Sequence, residues 1–180
     1  PEVIANELRL VIRVAEKYKK KLEKEADIGL FEKVEMALVP VLAEMELHGI
    51  AIDTNMLGTL SKDAKVTIKK LEKKIWKEAG EEFNVASSAQ LRDVLFDRLD
   101  LPTKDIKKGK TGYSTAASEL EKLHGLHPII ALIEEYREIE KLRNTYIDVL
   151  PTLINKKTGR IHTTFNQAVT TTGRLSSSDP

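Results

Sequence analysis

The 180-residue chain carries 29 Lys and Arg against 28 Asp and Glu, a net charge of +1, so there is no global basic signature and any cationic surface has to be local. It has no cysteine, which excludes a disulfide framework and a thiolate zinc site. No apolar run approaches the ~20 residues of a membrane span and no basic, apolar, small-residue leader opens the chain. It therefore reads as soluble and intracellular, with one core and room for a small second unit.

From Glu2 to Lys24, Ile4, Leu8, Val11, Ile12, Ala15 and Leu22 recur at helical spacing and predict an amphipathic helix. Lys17, Lys19, Lys20, Lys21 and Lys24 crowd its end, the favourable side of the helix dipole for cations, and read as a solvated face. A second helix is expected from about Leu30 to Leu47, with Phe31, Val34, Leu38, Leu42 and Met45 in one stripe. Pro40 predicts a kink in it, and His48-Gly49 a stop. After a brief extended link at residues 50–52, Asp53 is a natural N-cap. Leu57, Leu60, Ala64, Ile68, Leu71, Ile75 and Ala79 then carry an apolar face to Gly80, a helix of about 26 residues and roughly 40 Å. So long a helix needs a partner of similar length. One begins after Pro128, places Ile129, Ile133, Tyr136, Ile139, Leu142, Tyr146 and Leu150 inward, and ends at Pro151. The expected fold is mainly α: two long antiparallel helices with a small helical tip, then a short β segment at the C-terminus.

The tip opens with a short helix capped by Ser87 or Ser88 and built on Leu91, Val94, Leu95 and Leu99. From Pro102 to Thr115 come Lys104, Lys107, Lys108 and Lys110, with Asp105 the lone acid. Here the positives gather. Gly109 and Gly112 predict a pliable loop, and Ser114 or Thr115 is expected to open the next helix, whose free N–H groups favour an anion. On the return helix, Arg137, Lys141 and Asn144 stand at i, i+4 and i+7 and share a face, although Glu134, Glu138 and Glu140 stand near enough to neutralise it in weak surface pairs. Beyond the Asn155 to Gly159 turn a strand is expected from about Arg160 to Phe165, with Asn166 and Gln167 at its end.

The chain closes on T-T-T-G-R-L-S-S-S-D-P, Thr170 to Pro180: short hydroxyls, a glycine that lets main chain approach closely, and the fixed donor fork of Arg174. By itself this strip is a polar turn that also suits a nucleic-acid backbone. Together with F-N-Q-A-V (165–169), K-T-G-Y-S-T (110–115) and Y-R-E-I-E-K-L-R-N-T-Y (136–146), it closely resembles the family-A DNA polymerases, from about Phe31 to Pro180. The resemblance implies three parts: the tail of an exonuclease-like domain at 1–29, a thumb at 30–153 and the start of a palm at 154–180. It implies no nuclease activity here, because Leu22 stands four residues after Tyr18, where active exonucleases of the family carry an aspartate. It assigns Lys110, Thr111, Ser114 and Thr115 to duplex phosphates at the thumb tip, Arg137 and Lys141 to the duplex from the long helix, and Arg174 to the minor groove. Asn144, Gln167 and Thr172 are the supporting candidates. A polymerase holds every sequence, and the minor groove offers purine N3 and pyrimidine O2 acceptors with little regard to base identity.

No catalytic or metal-binding constellation is expected within the chain, and no cofactor. His48, His124, His127 and His162 are scattered, and His124 and His127 read as turn or cap residues. The family's catalytic aspartates and nucleotide-gripping fingers are expected downstream of Pro180, with Mg2+ belonging to the full polymerase. Expected partners are primer-template duplex and the remaining palm and fingers, in a bacterial cytoplasm, with no membrane. The alternative is a helical interaction module whose long helices make a dimer surface and whose lysines only solubilise.

Overall fold

The computed structural model describes residues 2–25 and 27–179, with side chains from residue 7 onward. The chain divides into two compact units, Pro1–Ala51 with Asn155–Pro180, and Ile52–Ile154. The first unit opens with α1 (Glu2–Lys24), where the periodicity places it. Its expected stripe is not covered: Leu8, Val11 and Ile12 are all more than half exposed, and Ile4 lies outside the described side chains. Next come α2 (Ile28–Leu30), a wide π turn at Phe31–Glu35 and α3 (Met36–His48). Pro40 lies within α3, and the irregularity of this helix is the π turn just upstream. Of the expected stripe only Leu42 is buried, while Phe31, Val34 and Met45 are exposed. Gly49 ends α3 at φ 63°.

The second unit is built on α4 (Thr54–Ala79). The Asp53 carboxylate accepts the N–H groups of Asn55 (2.9 Å) and Met56 (3.0 Å), and Gly80 closes the other end in the left-handed region. Ser87 caps α5 (Ser88–Arg92), which runs into a second π turn, Asp93–Arg98. The segment expected to be a pliable loop is a two-stranded antiparallel hairpin: β1 (Lys108–Gly109) pairs with β2 (Gly112–Tyr113), Lys108 opposite Tyr113 and Gly109 opposite Gly112. The next helix, α6 (Ala117–Leu120), is capped by neither Ser114 nor Thr115 but begins at Ala116, and it is only four residues long. The anion-favouring N-terminus expected there does not exist at useful length.

The return helix α7 (Pro128–Leu142) carries Pro128 in its first turn, and the His127 imidazole accepts the Ile129 N–H at 3.2 Å, the cap role its position suggested. A π turn, Arg143–Ile147, follows and ends the helix before the expected Pro151. Near the start of α4, the Ser61 hydroxyl donates to Asp148 Oδ1 beyond the end of α7 (2.6 Å), so the pair runs antiparallel. Its core gathers toward the tip: Leu71, Ile75, Leu91, Leu95, Leu120, Ile129 and Ile133 are 2% exposed or less. At the open end Leu60 and Tyr146 are exposed; Tyr136 packs inside as expected, Tyr146 does not.

The first unit groups α3 with the C-terminal segment, and the compact units divide at residues 51/52 and 154/155. Ile50 and Ile161 form an isolated antiparallel bridge. The strand expected from Arg160 begins only at Thr164: β3 (Thr164–Asn166) pairs antiparallel with β4 (Ser176–Ser178), Phe165 opposite Ser177. Of the hydroxyl-rich strip only Ser176–Ser178 is strand; the residues before it form the β3–β4 loop.

Candidate nucleic-acid interface

In the second unit, a cleft of about 490 Å3 is lined by Ser88, Arg92, Gly109, Thr111, Gly112, Tyr113, Ser114, Thr115, Ala116 and Arg137. Most of the K-T-G-Y-S-T motif and the first residue of the helix stripe thus converge, from segments more than twenty residues apart. Lys110 and Thr111, the two residues between β1 and β2, are exposed. Ser114 is half-buried, and its hydroxyl accepts the Ala116 N–H at 3.2 Å.

Thr115 is not a presented hydroxyl. It is 7% exposed, its carbonyl accepts from Arg137 Nη1, and its Oγ1 accepts from Arg137 Nη2 at 3.2 Å. Half-buried on α7, Arg137 is held by Thr115 with part of its donor fork still unused. Burial lowers its pKa, with Glu134 opposing that shift, yet an arginine so placed stays charged. Lys141, one turn further along α7, is exposed. The α-helical spacing that placed Asn144 on the same face ends at Leu142; Asn144 lies in the π turn and its Oδ1 accepts from Arg143 Nη2 at 3.2 Å. Arg143 itself pairs with Glu140 and Asp148 at 3.2 and 3.3 Å.

Two residues that sequence reasoning passed over hold this region in place. Arg92 donates from Nε to the Tyr113 carbonyl (3.0 Å) and from Nη1 to that of Thr111. Glu119, 2% exposed, accepts the Lys107 N–H (3.0 Å) and the Lys122 ammonium (2.7 Å), and Lys122 also donates to the Asp105 carbonyl (2.8 Å). The hydrogen bond from Lys122, then that from the Lys107 N–H, holds the Glu119 carboxyl below its ordinary value. Glu119 and Lys122 at i, i+3 were visible as a pair in the sequence; nothing local marked Arg92. Tyr113 packs at 5.4 Å from the Phe96 ring, with the Lys108 ammonium 5.0 Å from the Tyr113 centroid.

In the first unit, Thr172 and Arg174 are exposed on the loop between β3 and β4. That loop is closed by a hydrogen bond from Thr170 Oγ1 to the Arg174 carbonyl. Gln167 is committed inward, its Nε2 donating to the carbonyl and carboxylate of Glu35, both at 2.9 Å. An apolar hollow of about 350 Å3 between α3 and residues 161–165 has no Lys or Arg on its wall and does not suit a phosphate. Among the described residues no three His, Asp or Glu side chains are grouped to hold a metal. No described helix is long and apolar enough to cross a membrane.

Residues 54–180 match the profile of DNA polymerase family A, a span that holds every candidate contact named above. The chain belongs to DNA polymerase family A. Among family members, it is 48% identical to DNA polymerase I of Synechocystis sp. over 93% of its length and 17% of that protein's. To the thermostable DNA polymerase I of Thermus thermophilus it is 50% identical over 85% of its length and 18% of the relative's. It therefore spans under a fifth of the relatives it matches. Among solved structures it is similar to the POL domain of Pol1 from M. smegmatis, in complex with DNA primer-template and dNTP, with a TM-score of 0.78 and 36% identity over 94% of this chain and 30% of that one. A mainly α thumb-like segment of a family A polymerase accounts for the fold.

Proposed function

We propose that this chain is the duplex-holding part of a DNA-directed DNA polymerase. It grips primer-template DNA without sequence preference, for template-directed synthesis in replication and repair by the full bacterial enzyme. The observation that carries the reading is the convergence of the K-T-G-Y-S-T hairpin and Arg137 on one cleft. Exposed Lys110, Thr111 and Lys141 bind phosphates, and such contacts position a duplex without reading it. Arg174, at the turn of the β3–β4 loop, serves the minor groove, whose acceptors are nearly common to all base pairs. Thr115 supports the cleft of the second unit from within, and Gln167 the β3–β4 segment of the first, rather than touching DNA. The thumb, residues 30–153, is built on the helix pair, and the palm opens at residue 154; catalytic carboxylates, Mg2+ and nucleotide-gripping fingers belong to the rest of the enzyme, and the chain alone does not polymerise.

Anisotropy titration of a labelled primer-template duplex tests this. Affinity should fall steeply with salt, and the double substitution Lys110→Gln, Lys141→Gln should reduce the slope of log K against log salt by roughly 0.9 for each phosphate that is no longer neutralised. Binding indifferent to salt and to both substitutions overturns the proposal. The exposed Leu8, Val11 and Ile12 of α1 favour the alternative of a helical interaction module. Sedimentation separates the two readings, since that module dimerises with rising concentration and has no affinity for DNA.

A further inference from the structure

We propose that Arg92 is the positioning residue of the basic hairpin: it fixes the β1–β2 turn so that Lys110 and Thr111 face a phosphate backbone. The hairpin cannot set its own shape. It has two residue pairs, Lys108–Tyr113 and Gly109–Gly112, and so short a ribbon is marginal in water. Two-residue hairpin loops match the strand twist when the first central residue has positive φ, or both do. Among the described residues only Asp100, Asp179 and glycines have positive φ, so Lys110 and Thr111 both lie at negative φ, and the turn depends on Gly112, at φ +117°, to rejoin its strand. Something outside the hairpin must hold it.

Arg92 does so from α5. Its guanidinium reaches two carbonyls of the hairpin, that of Thr111 in the turn and that of Tyr113 in β2. The residue between them makes room: Gly112 has φ +117°, and a Cβ there would lie 2.8 Å from Arg92 Cδ. The planar fork spans two acceptors with fixed geometry, which a lysine ammonium cannot do. Arg92 thus acts through Lys110 and Thr111.

The test uses the whole 180-residue chain with Arg92→Lys, which keeps the charge and loses the fork, beside Arg92→Gln, which loses both. Trp76 fluorescence on heating checks that each variant folds. In the free protein, amide exchange at Ser114, whose N–H donates to Lys107 O at 2.8 Å across the base of the hairpin, should quicken about tenfold in both variants. Unchanged exchange overturns the proposal. The second arm rests on the duplex-binding role proposed above. In primer-template titrations, Arg92→Lys should weaken binding about as much as Lys110→Ala, and adding Lys110→Ala to Arg92→Lys should cost less than a further twofold, on the order expected when one residue acts through another. Multiplicative weakening overturns the positioning role and makes Arg92 an independent contact. If the unsubstituted chain does not bind duplex, the proposed function falls while the exchange arm still decides the role of Arg92.

Discussion

A methyl group at Gly49 would sit 2.6 Å from the Ile161 carbonyl oxygen and 2.8 Å from the His162 ring, at a backbone φ of 63°. Neither neighbour can give way cheaply. Ile161 is paired with Ile50 in the bridge, and the His162 ring is held between the Glu46 carbonyl and the Thr158 hydroxyl, each at 2.7 Å. Gly49→Ala is therefore expected to destabilise the first unit by about 2 kcal/mol or more, from backbone strain and overpacking together. Gly80 is the control: its φ is 80° but nothing lies within 4 Å of an added Cβ, so Gly80→Ala should cost only about 1 kcal/mol. Urea midpoints followed by far-UV circular dichroism measure both, and equal destabilisation at the two positions would refute the steric argument. The same scale separates residues that present groups from residues that hold them. Lys110 and Arg174 are exposed, whereas Thr115 spends its carbonyl and hydroxyl on Arg137, a partner 22 positions away that no local pattern links to it.

Between elements, Glu119 of α6 ties down the basic segment that leads into β1, and it does so as a carboxylate. Its folded pKa lies below the ordinary 4.5, so the unfolded chain binds the proton more readily. The stabilisation it contributes is complete above about pH 4.5 and is lost as pH falls through the lower folded value. Glu119→Gln should thus be less stable than the natural chain at pH 7, with the gap closing below pH 4.5; Trp76 fluorescence in urea at stepped pH reads it, and a gap independent of pH removes Glu119 from this role. Elements with local signals were legible. Asp53 and Gly80 bounded α4 to the residue because caps are written within a turn of the helix end. The three π turns were not, since one extra residue in a turn leaves the apolar periodicity nearly intact, and one of them removed Asn144 from the face shared by Arg137 and Lys141. The hairpin was read as a loop because its glycines were visible and its Arg92 brace was not. A stripe on α3 had no single meaning, because Val39, Val41 and Met36 make the helix apolar on several sides.

The two units differ most in how much apolar surface they bury. Sixteen buried residues form one continuous cluster in the second unit, whereas among the described residues only Leu42 and Ile161 are buried hydrophobics in the first. A fully buried Leu or Ile side chain contributes roughly 1.5–3 kcal/mol, so the second unit has far more with which to offset chain entropy. The first relies instead on the β3–β4 ladder, the Ile50–Ile161 bridge and side-chain bonds such as Glu46 Oε1 to the Phe165 N–H (2.6 Å), each worth about 1 kcal/mol net. Unfolding should therefore take two steps. Trp76 is the sole tryptophan and sits beside the second unit's core, its Nε1–H donating to the Phe83 carbonyl at 2.7 Å, so its fluorescence reports that unit alone. Far-UV circular dichroism reports the helices of both. In a urea titration, part of the helical signal should disappear at low denaturant while Trp76 fluorescence stays native, and the rest should fall together with the fluorescence change. Coincident transitions by both probes would mean that the chain unfolds as one cooperative body despite the unequal burial. If the steps separate, duplex binding through the hairpin cleft should persist in urea that has already melted the first unit, because Lys110, Arg137 and Lys141 all belong to the second.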